Sequence, residues 1–129
     1  MTVAEDLRGI DDVKAFANEP LTEPRSLIDA KIVTKGRDAW EKTRILYADA
    51  TGELTAGLWE SSPGAWSLHT IEDEYVRLLE GEIKLTDAKG ATRTFKPGDS
   101  FFVPERFSGE WENIGTVRKV FVSMKRKRG

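Results

Sequence analysis

The sequence contains no cysteine and a single histidine, His69. The first absence excludes disulfides, thiolate zinc sites and cysteine nucleophiles. The second excludes any site that needs two or three imidazoles from one chain. No apolar run approaches the roughly 18 residues a membrane-spanning helix requires. The N-terminal residues 1–6 are acidic and lack the basic and apolar regions of a signal peptide, so a cytoplasmic location is expected. An excess of positive charge is missing too, with 20 Lys and Arg against 22 Asp and Glu. A duplex-binding domain is usually basic, so neither nucleic acid nor membrane is expected as a partner. The exception is the run Lys125-Arg126-Lys127-Arg128. It reads as a solvated chain end, with a phosphate or partner contact as the alternative.

What is present is a chain of 129 residues, enough for one compact domain that buries a core without staples. Up to residue 26 the texture is irregular. Ile10, Val13 and Phe16 recur at helical spacing behind the possible caps Asp11 and Asp12, and Pro20 and Pro24 stop any continuation. Residues 1–26 are therefore expected to form an arm that is part helical, part extended. From residue 27 to 129 short strands are expected, the first drawn from Leu27-Ile28 and Ile32-Val33. Turn signals separate them: Thr51-Gly52, Pro63-Gly64, Lys89-Gly90, Pro97-Gly98 and Ile114-Gly115. Many short strands punctuated this way predict an all-β sandwich or barrel. Pro97-Gly98 suits the central positions of a type II turn, where Gly accepts the positive dihedral.

Alternation assigns faces. Ile83 and Leu85 point one way, Glu82, Lys84 and Thr86 the other. Glu74 shares a face with Val76 and Leu78, so if that face is interior a carboxylate sits at the end of an apolar strand. A buried carboxylate is costly unless paired, protonated or metal-bound, which makes Glu74 chemically informative. The structural alternative is an ion pair with Arg106 or Lys119. Tyr75, Arg77 and Leu79 form the opposite, mixed face, a candidate surface for a homodimer.

These residues resemble the two motifs of the cupin family. Gly64, His69, Glu74 and Gly81 fall on the first motif; Gly98, Pro104 and Asn113 fall on the second. Flanking words such as Gly57-Leu58-Trp59-Glu60, Gly109-Glu110-Trp111-Glu112 and Val117-Arg118-Lys119 are similar to the branch named after ureidoglycine aminohydrolase. The resemblance implies a cupin (RmlC-like) jelly-roll barrel with a ligand cavity and the N-terminal arm outside it. The sequence departs from the motifs at three places. Ser67 stands where the first motif's first histidine would be, Arg106 where the second has glycine, and Gly109 where the second has histidine. Of the usual metal ligands only His69 and Glu74 remain. Three protein ligands are common for a catalytic metal, so no cofactor is expected. A divalent Mn, Fe, Ni or Zn ion would have His69 and Glu74 alone, with Glu72 or Glu110 as stand-ins.

The reading is a small-molecule-binding barrel, with metal-independent acid–base chemistry on a small polar metabolite as the reaction it would support. Glu74 and His69 are the candidate catalytic pair; Trp66, Phe102, Trp111 and Arg106 are the candidate ligand-binding residues. The alternatives are a metal-dependent enzyme on a ureide or organic acid and a non-enzymatic sensing or assembly module.

Overall fold

Period-two alternation and frequent turn residues leave this chain one economical way to bury its apolar side chains, a sheet curled on itself. A computed structural model of the chain describes residues 7–16 and 20–126. Lys127 and Arg128 of the basic run, and residues 1–6, lie outside the described residues. Nine strands form one antiparallel, barrel-like sheet: β1 Arg25–Ser26, β2 Ile32–Lys35, β3 Trp40–Ala48, β4 Leu54–Ser61, β5 Gly64–His69, β6 Asp73–Asp87, β7 Thr92–Phe95, β8 Ser100–Val103 and β9 Ser108–Met124. The path β1-β3-β4-β9-β5-β2 is continuous, and β6 adds β7 and β8 while pairing with β9. The all-β jelly roll expected from the sequence is the fold observed.

The long strands β6 and β9 form the spine. The first part of β6, Asp73 to Glu80, pairs with the second part of β9, and its later part, Glu82 to Asp87, pairs with the start of β9. The register shifts between Leu78 and Glu82. Gly81 sits at this irregularity with φ 75°, and a Cβ there would lie 2.4 Å from the Thr116 carbonyl oxygen. Only glycine fits both the conformation and the space. The bulge reverses the phase of alternation: Glu74, Val76 and Leu78 face inward before it, Ile83 and Leu85 after it. Val76, Leu78, Ile83 and Val117 are fully buried in the core, each contributing about 1.5–3 kcal/mol of apolar burial. Tyr75, Arg77 and Leu79 are exposed on the outer face.

The N-terminal segment differs from expectation in detail. A single 3-10 turn, Ile10–Asp12, replaces the short helix, and Ile10 and Val13 are exposed. Leu27–Asp29 is also a 3-10 turn, not the beginning of a strand. Leu27 is buried, and its N–H donates to the Ala39 carbonyl. Anchoring that side chain outweighs the local strand propensity of Leu27-Ile28. The basic run is tied down at its start: the Lys125 N–H donates to the Glu53 carbonyl, and Arg126 pairs with Asp73 at 2.7 Å. These two residues are exposed, as the composition suggested, but they are not frayed. The Pro97-Gly98 turn is as expected, with Gly98 at φ 94° and the Asp99 N–H donating to the Lys96 carbonyl.

Candidate functional site

Inside the barrel, β4, β5, β6 and β9 bring three indoles together. Trp66 and Trp111 are cross-strand partners, and their rings stack with centroids 5.9 Å apart. Trp59 meets both edge-on, at 6.0 and 6.2 Å. Such pairs add to the apolar burial of the rings. Their polar edges are satisfied: the Trp111 Nε1–H donates to Asn113 Oδ1 at 2.9 Å, and Asn113 Nδ2 donates to the Ser62 carbonyl at 3.0 Å. The asparagine that closes the second motif thus fixes a wall of the cavity.

Lys119 faces Trp59 across β4 and β9. Its Nζ lies 4.6 Å from the Trp59 ring centroid, 4.5 Å from that of Trp111 and 5.8 Å from that of Phe121. It also donates to Glu74 Oε2 at 2.7 Å. The lysine side chain is 8% exposed and the glutamate side chain 21%. The ammonium is thus held by aromatic faces and by one carboxylate, a combination strongest where water is scarce. Glu74 does face inward, and the partner that satisfies it is Lys119, not Arg106.

A cavity of about 320 Å³ lies against this pair. Three further charged residues line it: Lys31, Glu41 and Glu72. Glu41, on β3, is buried and accepts the Trp59 Nε1–H at 2.8 Å and the Arg25 Nε–H at 3.1 Å. Burial by itself pushes the Glu41 carboxyl up. The hydrogen bonds from Trp59 and Arg25 and the positive charges of Lys31 and Arg25 outweigh that, holding it below the usual carboxylate range. Lys31 is placed by the turn after Leu27, its own N–H donating to the Leu27 carbonyl at 2.8 Å. Its Nζ lies 5.3 Å from the Trp66 ring centroid. Burial lowers the Lys31 pKa, Glu41 opposes the shift, and nearby Lys119 adds to it. Glu72 is raised, first by burial and then by the Glu74 carboxylate.

The structure brings Glu74, His69, Trp66 and Trp111 to this one cavity. His69, the last residue of β5, is exposed at its rim, with no hydrogen bond to Glu74. Phe102 and Arg106 are elsewhere. On β8 it is Phe101 that turns inward, stacking on Phe95 with centroids 4.0 Å apart, so Phe102 is outward and 59% exposed. Arg106 belongs to the turn between β8 and β9, which Thr70 clamps. Thr70 Oγ1 donates to the Pro104 carbonyl at 2.7 Å and accepts the Phe107 N–H at 2.8 Å, while the Arg106 N–H donates to the Thr70 carbonyl at 2.8 Å. Arg106 adopts φ 66°, the left-handed region that favours glycine, at the place where the motif has glycine. Sequence reasoning missed Lys31 and Glu41, and treated Lys119 as structural by default. The signal for Lys119 was present as the alternative partner of Glu74.

The donor set does not fit a metal ion. Among the described residues no three His, Cys, Asp or Glu side chains converge on one point. The inward carboxylate Glu74 is taken by an ammonium, which would repel a cation. The motif positions that would restore ligands are closed as well. Ser67 is exposed, one residue out of phase with the buried Trp66. A Cβ on Gly109 would lie 1.8 Å from the Thr86 carbonyl oxygen. Among the described residues no helix is long and apolar enough to cross a membrane.

Comparison with known proteins agrees with this architecture. Residues 48–121 match the model of the EutQ-like cupin domain. A DUF861-family protein of unknown function from Pseudomonas syringae pv. tomato superposes with a TM-score of 0.69 at 25% identity, over 81% of this chain and 43% of that one. The chain thus spans less than half the length of that protein. An ethanolamine utilization protein Q from Salmonella typhimurium gives a TM-score of 0.60 at 25% identity, over 68% of this chain and 72% of that one. The EutQ protein of Clostridium difficile gives 0.63 at 14% identity, over 81% of each chain, a likeness of fold alone. No curated protein matches the chain. With the motifs, the jelly roll and the family match over more than half of its length in agreement, the chain belongs to the EutQ-like cupin family.

Proposed function

We propose that the barrel interior binds a small polar metabolite, with Glu74 as the anchoring or acid–base carboxylate and Lys119 as its hydrogen-bonded partner. The observation that carries this reading is the buried Lys119–Glu74 pair set among Trp59, Trp111 and Phe121. A buried ion pair is a weak source of fold stability, because desolvation offsets most of the Coulombic gain. A barrel built only to be stable would fill this space with aliphatic side chains. Apolar walls around a few converging polar groups are what small-molecule sites consist of. His69, at the rim, is positioned to meet a ligand that enters, and a general acid–base step would run between ligand, Glu74 and Lys119. The narrower placement in the ureidoglycine aminohydrolase branch would bring metal chemistry on a ureide, for which this donor set gives no support.

The test is mass spectrometry of small molecules released on denaturing the protein as isolated, followed by thermal melting with each candidate. A released compound that raises the melting temperature of the wild type but not of Glu74→Gln supports the reading, since only binding to the folded state raises it. Compounds that shift both proteins equally would contradict it.

A further inference from the structure

The charges that line the cavity are not all matched. Glu41 is engaged by Trp59 and Arg25, and Glu74 by Lys119. Two groups remain. Lys31 lies against the Trp66 face, and no ion pair or hydrogen bond of its ammonium is formed among the described residues. Among the described residues Glu72 is equally without an ion pair or side-chain hydrogen bond, and Lys31 acts on it only through its charge at a distance. Both are pushed toward their neutral forms, Lys31 downward and Glu72 upward, with burial the first cause of each. The cavity therefore presents one cation and one anion that no direct ion pair or hydrogen bond engages, although neighbouring charges act on both from a distance.

That pattern discriminates among ligand classes. A simple anion would pair with Lys31 and be repelled by Glu72; a simple cation would meet the reverse. A neutral polar molecule would return hydrogen bonds to both groups but no opposite charge to either. Only a ligand carrying both signs pairs each group with its opposite. We infer that the cavity takes a small zwitterion, one carboxylate and one primary ammonium on a short carbon skeleton, with the carboxylate on Lys31 and the ammonium on Glu72. This inference rests on the small-molecule reading above and narrows it to a ligand class.

The experiment is isothermal calorimetry with glycine, β-alanine, 4-aminobutanoate and 5-aminopentanoate, beside the single-charge probes butanoate and butylamine. One amino acid of the series is expected to bind at least about tenfold more tightly than either single-charge probe. Lys31→Met and Glu72→Gln should each remove about tenfold of that preference. Because each substitution breaks no ion pair or hydrogen bond and removes a charge that burial disfavours, the melting temperature should not fall. The ranking of probes on the wild type stands even if a variant proves hard to prepare. Equal binding of butanoate, indifference to both substitutions, or no binding by any amino acid of the series would overturn the inference. If the series fails while a released metabolite still requires Glu74, the zwitterion class falls and the small-molecule site stands. If no released metabolite is found either, both fall.

Discussion

Two concavities of similar size, about 320 and 370 Å³, lie on different parts of the sheet with β6 in common, and they differ in what lines them. The larger lies where β6, β7 and β8 meet and is walled by Leu85, Phe95, Phe101, Val103 and Phe107, with Arg93 and Asp87 as its charged residues. The other holds Lys31, Glu41, Glu72, Glu74 and Lys119 among tryptophans. The first has the composition that folding by itself favours. The second places five ionisable groups where burial penalises charge. That difference is what the proposal of the second concavity as the ligand site rests on.

The comparison is sharpest when one side chain is deleted from each region. Lys119→Ala leaves the Glu74 carboxylate without its cation and a gap between two indoles. Losing one partner of a buried pair costs about 3–5 kcal/mol, which urea unfolding would measure. Phe101→Ala in the other concavity removes the ring stacked on Phe95. This half-buried site should lose about 3 kcal/mol, the low end for such truncations. The distinction is in binding: the phenylalanine variant should keep the ligand affinity of the wild type, and the lysine variant should lose it. Equal effects of the two on affinity would erase the contrast.

A smaller effect separates the carboxylates within the charged region. Glu41 is depressed in the folded state, so its contribution is present above the ordinary glutamate range and lost as pH falls through its folded value. Stability of the wild type should therefore decline on acidification, and Glu41→Gln should flatten that limb while lowering stability at neutral pH by about 1–2 kcal/mol. Glu72 is raised, so the sign reverses: its penalty holds above its folded value and is relieved as pH falls. Glu72→Gln should make the protein more stable at neutral pH. Urea midpoints from pH 3 to 8 for both variants check the pair of signs, on the span over which carboxylates near about 4.3 titrate.

Much of the fold is legible in the residues. The alternation through Glu74, Val76 and Leu78, the Pro97-Gly98 turn and the spaced glycines all predict what is observed, because each is a local rule of strand or turn geometry. The site is legible in part. Glu74, Trp66 and Trp111 lie together: Trp66 and Trp111 stand two residues from the paired Gly64 and Asn113, and Glu74 follows the alternation of Val76 and Leu78. Phe101-Phe102 carries no such mark: either ring could face inward, and only the pairing of β8 with β6 decides. Glu41 and Lys31 depend on contacts with β4 and the barrel interior far along the chain, which no local pattern encodes. Ser67 stands where the motif's first histidine would be, and the pairing of Trp66 with Trp111 turns it outward. Arg106 illustrates a motif position whose role is conformational. At φ 66° it occupies a region costing a non-glycine residue about 1–2 kcal/mol. Arg106→Gly should therefore raise stability by about 1 kcal/mol and leave ligand binding unchanged, readable as a shift in the urea midpoint.

The central claim is that Lys119 and Glu74 are held in the barrel for a ligand and not for the fold. The double substitution Lys119→Met with Glu74→Leu tests it by keeping the volume and removing both charges. Urea unfolding of this variant should give a stability equal to the wild type or higher by about 1–4 kcal/mol, with binding of the released metabolite abolished. A loss of several kcal/mol in the double variant would contradict the claim and make the pair a structural element of the barrel.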